Sequence, residues 1–122
     1  MAYNGGVAQQ FQDLELTPKM AEAIMPFVED PSKEWYGAEL MRRTGQSSGY
    51  LYPTLARFQR NGWLTSGREN IDPRTAGRPP RRYYKITDAG LAAAQIQLAF
   101  LSQRYAPPVT VRPRLAPNAG AL

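Results

Sequence analysis

The chain has 122 residues, 43% of them hydrophobic, with a formal net charge of +5 and neither cysteine nor histidine. That length reads as one domain with tails; the missing cysteine excludes disulfides and thiolate metal sites, and the missing histidine removes the usual general base near neutral pH and the commonest metal ligand. No cofactor or catalytic motif is legible, no apolar run reaches membrane-spanning length, and the start MAYNGGVAQQF lacks a signal-peptide pattern, so we expect a cytoplasmic protein that is not an enzyme.

Residues 1–16 show little periodicity and predict a mobile arm, with Phe11, Leu14 and Leu16 able to dock on a partner. Thr17-Pro18 reads as an N-cap followed by proline in the first turn. Met20, Ile24, Phe27 and Val28 then form a helical apolar stripe, which Pro26 kinks or ends early. Asp30 to Lys33 is a connector. A second short helix covers roughly residues 35–44. Leu40 and Met41 face inward, and Arg42 and Arg43 point outward near its C-terminus, where the helix dipole favours cations.

Gly45-Gln46 makes a tight joint into a third helix. Ser47 and Ser48 are both suitable caps. Leu51, Leu55 and Phe58 recur on one face; Tyr50, Pro53, Arg57 and Arg60 fall on the other. Pro53 removes a backbone donor, so the helix starts late or bends near its N-terminus. Asn61-Gly62 supplies the stop. Alone, this is an amphipathic helix with a solvated polar face. Beside the preceding helix it fits a helix-turn-helix.

After Gly62 the period changes. Residues 63–66 and 82–87 are rich in aromatic and β-branched types and read as strands. The loop between them, 67–81, is full of Gly and Pro and carries Arg68, Arg74, Arg78 and Arg81, which makes a basic hairpin, or wing. Thr87-Asp88 caps a last helix. It has no charged residue from Ala89 to Gln103. Leu91, Ala94, Leu98, Leu101 and Tyr105 follow a 3-4 spacing, and Ile96 and Phe100 add a second apolar face. A helix apolar on two sides needs burial on two sides. A second protomer supplies that; the plainer alternative is a helix folded back on its own domain. Residues 106–122 contain four prolines and predict a disordered tail.

Charge is unevenly distributed. Residues 1–39 hold two Lys/Arg against seven Asp/Glu, while residues 40–122 hold thirteen against three. A basic block of this kind points to a polyanionic partner, although a merely soluble basic surface has the same composition. The expected fold is mainly α with a small β-hairpin: a winged helix-turn-helix with three N-terminal helices, a two-stranded wing and a C-terminal dimerisation helix. The DNA-binding domain spans 17–87 and the dimerisation helix 88–105.

One stretch also resembles a known family. YGAELMRRTGQSSGYLYPTLARFQRNGWL, followed by GRPPRRYYKITDAGLAA, is similar to the PadR-type winged-helix transcriptional regulators. The resemblance rests on Tyr36-Gly37 with Glu39-Leu40, Leu51-Tyr52-Pro53 with Leu55, Gly77-Arg78-Pro79, and Tyr83-Tyr84 with Ile86-Thr87 and Gly90. It implies a bacterial or phage-type repressor acting as a homodimer, with the first and last helices at the dimer interface. In many members a small hydrophobic or phenolic ligand relieves repression. A single helix after the wing places the chain in the short branch. Tyr50 stands where the family usually has Thr or Ser, which bears on operator choice. Pro80 lengthens the wing motif, and Pro26 bears on the dimer interface.

The expected partner is double-stranded DNA at the nucleoid. Ser47, Ser48 and Tyr50 lie at the end of the third helix that meets base edges in this motif. Arg57 and Arg60 are placed for phosphate, with Arg42 and Arg43 on the backbone and Arg74 and Arg78 in the wing. Arg81, Arg82 and Lys85 alternate along a strand, so one face of them meets DNA. Tyr52 reads either as a phosphate contact or as a plain core aromatic. Trp35 and Trp63 are candidates for walls of an effector pocket, or core anchors. Two other functions fit the same residues: an architectural or plasmid/phage partition DNA-binding protein, and a winged-helix protein-interaction module.

Overall fold

The hydroxyl of Thr17 accepts the Met20 N–H at 3.1 Å and Pro18 occupies the first turn, so the first helix begins where cap chemistry places it. The structure is a computed structural model and describes residues 10–104. In chain order the elements are α1 (Pro18–Glu29), β1 (Trp35–Tyr36), α2 (Gly37–Thr44), α3 (Ser48–Arg60), β2 (Leu64–Arg68), α4 (Pro73–Ala76), β3 (Arg82–Ile86) and α5 (Asp88–Arg104). The fold is mostly helical with one small antiparallel sheet, as the sequence predicts, but the sheet has three strands in the order β1-β3-β2.

β1 corrects the expected helix over 35–44. Trp35 pairs with Tyr84 and Tyr36 with Tyr83, so α2 starts only at Gly37. Aromatic residues suit a strand, and β3 would otherwise leave an open edge. β2 and β3 form the predicted hairpin, in register from Leu64 opposite Ile86 to Arg68 opposite Arg82. The connection between them is not wholly irregular. Asp72 caps the short α4 by accepting from the Arg74 N–H and the Thr75 hydroxyl, and Gly77 ends it in the left-handed conformation.

Neither helical proline breaks its helix. α1 continues past Pro26 to Glu29, and α3 starts at Ser48, ahead of Pro53. Each proline deprives the carbonyl four residues back of its partner. Those carbonyls belong to Glu22 and Gly49, both exposed residues. Of the two candidate caps, Ser47 is the one used.

The core lies where α1, α2, α3 and the sheet meet. Trp63, Phe27, Phe58, Ile24, Leu40, Leu51, Leu55 and Leu64 are its largest fully buried side chains. Leu51, Leu55 and Phe58 come from the predicted inner face of α3. Residues 10–16 are not a mobile arm. Leu14 and Leu16 are buried in the same core, the Gln12 N–H donates to the Asn61 carbonyl at 2.9 Å, and the Trp63 indole donates to the Gln12 carbonyl at 2.8 Å.

α5 presents its two apolar sides to different surroundings. Gly90, Ala93 and Ala94 are buried, and Leu91, Leu98 and Leu101 pack partly buried against the core of their own chain. The predicted seam therefore faces inward, over α1. Ile96 and Phe100 are the exposed pair, at 58% and 62%. Tyr105, the tail 106–122 and residues 1–9 lie outside the described residues.

Candidate nucleic-acid interface

The N-terminal end of α3 is built by three elements. The Ser47 hydroxyl accepts the Tyr50 N–H at 3.3 Å. Ahead of it, Gly45 takes φ +72° and donates to the Met41 carbonyl, turning the chain sharply between α2 and α3. Gln46 is buried, and its side-chain amide donates to the Lys19 carbonyl at 3.0 Å, so the turn is fastened to the start of α1. The Lys19 ammonium lies 4.3 Å from the centroid of the half-buried Tyr50 ring. Ser47, Ser48, Pro53, Arg57 and Arg60 are all exposed. The polar face predicted for α3 is thus brought together as one surface. Lys19 and Gln46 carried no sequence signal, because their partners lie far along the chain.

Tyr52 is 41% exposed and is not a plain core aromatic. It sits on Gly37: a Cβ there would overlap the Tyr52 hydroxyl and lie 2.7 Å from two ring carbons. The Tyr-Gly and Leu-Tyr-Pro motifs are therefore the two halves of one contact.

The wing cations divide into two groups. Arg78 holds Glu69 through both guanidinium nitrogens, at 2.6 and 3.2 Å, and Arg81 reaches the same carboxylate at 3.2 Å. Those two arginines bring the Glu69 pKa down to about 2, Arg78 contributing most. Arg81 also lies over the Tyr36 ring at 4.8 Å. Arg78 and Arg81 therefore brace the wing. Arg74, Arg82 and Lys85 are exposed and form no ion pair among the described residues. Tyr84 and Ile86 face the core, so the pleat puts Lys85 on the opposite side of β3 from Arg82. Arg42 is exposed at the end of α2, whereas Arg43 is paired with Glu29 and lies 5.8 Å from the Trp35 ring.

Both tryptophans are buried among other aromatic side chains. Trp63 is fully buried between Phe11, at 6.0 Å, and Phe58, at 5.5 Å. Trp35 is buried edge-on to Phe27 at 6.3 Å. Both are core anchors. A groove of about 560 Å³ does open elsewhere, between residues 13–16 and the Ile96-Phe100 side of α5. Among the described residues no group of acids could hold a metal, and no helix is long and apolar enough to cross a membrane.

A helix-turn-helix of α2 and α3, followed by a basic wing between β2 and β3, defines a winged helix-turn-helix protein. Residues 30–96, more than half of the chain, match the transcriptional regulator PadR-like family, and the chain belongs to it. Its fold is that of the winged-helix transcription regulators.

Solved structures share the fold. A PadR family transcription regulator from hypervirulent Clostridium difficile R20291 is 20% identical with a TM-score of 0.52, over 70% of this chain and 92% of that one. A probable transcriptional regulator from Pseudomonas aeruginosa is 20% identical with a TM-score of 0.58, over 72% and 60%. PcaV from Streptomyces coelicolor, solved with its natural ligand, is 21% identical with a TM-score of 0.57, over 75% and 61%. The chain spans about 60% of the length of several such structures, including Lactococcus lactis ZitR at 57% and the Pseudomonas protein at 60%. No protein of curated function matches the sequence.

Proposed function

We propose that this protein is a homodimeric, sequence-specific repressor that binds an inverted repeat in double-stranded DNA. The observation that carries this reading is the exposed face of α3, with Ser47, Ser48 and Tyr50 at its N-terminal end and Arg57 and Arg60 farther along. In a helix-turn-helix the first group meets base edges in the major groove and the second meets phosphates. Arg42 reaches the backbone from α2. Arg74 and Arg82 are the wing cations left for phosphates, with Arg78 and Arg81 holding the wing in shape and Lys85 on the other side of β3. Ile96 and Phe100 are exposed apolar side chains on α5 and supply the dimer contact. A small hydrophobic effector would find apolar walls in the groove beside them, because both indoles are already packed.

Selection from random-sequence duplexes tests this directly. The expected product is a palindrome with half-sites about one helical turn apart (~10 bp). Neutralising six to ten phosphates would lower its affinity roughly 10³–10⁵-fold between about 50 and 200 mM salt. Uniform retention of all sequences would mean an architectural protein. Retention of none would mean a protein-interaction module.

A further inference from the structure

A groove of about 330 Å³ opens at the foot of the wing, where the start of α2, the Tyr52 turn of α3 and the beginning of β3 meet. Its polar side chains are tyrosines and arginines only: Tyr36, Tyr52, Tyr84, Arg81 and Arg82. No carboxylate lines it, so it offers hydrogen-bond donors and positive charge.

The two arginines are not equivalent. Arg81 is held by Glu69 and by the Tyr36 ring. Arg82 is exposed, and its one side-chain hydrogen bond among the described residues is a long 3.5 Å approach to the Ser66 hydroxyl. It is the uncommitted cation of the groove. Tyr52 presents its hydroxyl from the exposed side of α3, steadied by Gly37. Tyr84 lines the same groove, and its phenol is pushed up by burial, with Arg82 opposing and Tyr52 adding.

Resting on the reading of α3 as the DNA-facing helix, the geometry points to this groove as the seat of one DNA backbone phosphate. Arg82 is its charged ligand, and the Tyr52 and Tyr84 hydroxyls are donors. A phosphodiester carries one negative charge and accepting oxygens, which complements a rim of guanidinium and phenol donors that holds no carboxylate. The groove is shallow and open. That suits a phosphate delivered by neighbouring contacts on the same strand. One phosphate here would tie α2, α3 and the wing root to a single point and so set the depth of α3 in the major groove.

The test uses the full chain and its selected duplex, with single methylphosphonate replacements that remove one backbone charge at a time. At the seated phosphate the replacement should cost the wild type roughly tenfold in affinity, the scale of a charge-assisted hydrogen bond. Arg82→Ala should lose a similar amount on unmodified DNA, shed about one unit of salt slope, and show no further loss at that position. Tyr52→Phe should show a smaller loss coupled to the same phosphate. If Arg82→Ala retains the full penalty at every position, the proposal is overturned. Saturable binding of inorganic phosphate by the DNA-free protein, abolished in Arg82→Ala and without methylphosphonate coupling, would assign the groove to a small anion and overturn it too. Failure of the underlying reading looks different: the wild type then enriches no duplex, and this proposal falls with it.

Discussion

Lys19 is one of only two cations in the first 39 residues, yet it lies over the ring of Tyr50 at the end of α3 nominated for base contacts. An exposed cation–π contact contributes about 0.5–1 kcal/mol, so Lys19→Ala should barely change stability. It should loosen the sequence preference at the base pair opposite Tyr50, measured by repeating the duplex selection with the variant; an unchanged preference would leave Lys19 without a positioning role. Gly37 bears on stability instead. A methyl group there collides with the Tyr52 ring, and overpacking of this kind costs about 1–3 kcal/mol. Gly37→Ala should therefore lower the urea midpoint and weaken DNA binding together. Both residues sit in readable sequence, but neither role was readable. Lys19 belongs to an acidic block by composition, and Gly37 is a motif position whose reason is a tyrosine in the next helix.

At the scale of elements, the wing is a loop with a clasp. The Glu69 carboxyl has an ordinary value of 4.5 and is brought to about 2 by Arg78 and then Arg81. Its folded value lies below its unfolded value. The stabilisation is therefore complete above about pH 4.5 and is lost as the pH falls through about 2. Amide protection in the wing, taken relative to the intrinsic exchange rate at each pH, should fall over that window and stay constant near neutrality. Glu69→Gln should remove the pH dependence while making the wing more mobile at every pH. The sequence announced a basic loop, and it is one, but two of its arginines are committed to a single acid in that loop. Which arginines remain for DNA depended on the hairpin register that sets Arg68 opposite Arg82 and brings Glu69 beside Arg81. β1 is another case. Two residues have no periodicity to detect, and their partner strand lies across the helix-turn-helix.

For the whole molecule the question is what covers α5. Its inner side is seated closely. Thr87 donates to the Gly62 carbonyl at 2.7 Å, and a Cβ on Gly90 would stand 2.8 Å from the Trp63 Cα. Gly90→Ala should thus destabilise by about 1–3 kcal/mol or more, since backbone cannot swing aside as a side chain does; a denaturation midpoint equal to the wild type would show that the helix shifts freely. The outer side carries Ile96 and Phe100. Full burial of such side chains contributes about 1.5–3 kcal/mol each. Replacing both by Glu should leave the helical content unchanged and convert dimer to monomer in sedimentation equilibrium, with affinity for the palindrome falling toward that of a half-site. A wild type that sediments as a monomer would sink the dimer.

Local signals carried the helices, their caps and the hairpin. Thr17, Ser47, Gly45 and the 3.6-residue recurrence of Leu51, Leu55 and Phe58 act within a turn or two of chain, so the sequence by itself determined these elements and the cationic face of α3. The inward side of α5, the docking of residues 10–16, the third strand and the Glu69 clasp were decided by tertiary structure. An apolar helix with small residues on one side and large ones on another turns its small side to the tightest contact, and that contact is the Trp63 backbone. Phe11, Leu14 and Leu16 look like an arm until Trp63 and the Gln97 side chain appear beside them, with Leu16 donating to that amide at 3.3 Å. Periodicity reports that a face is apolar. Only the packed core shows which apolar face it has room for, and so which one is left for a partner.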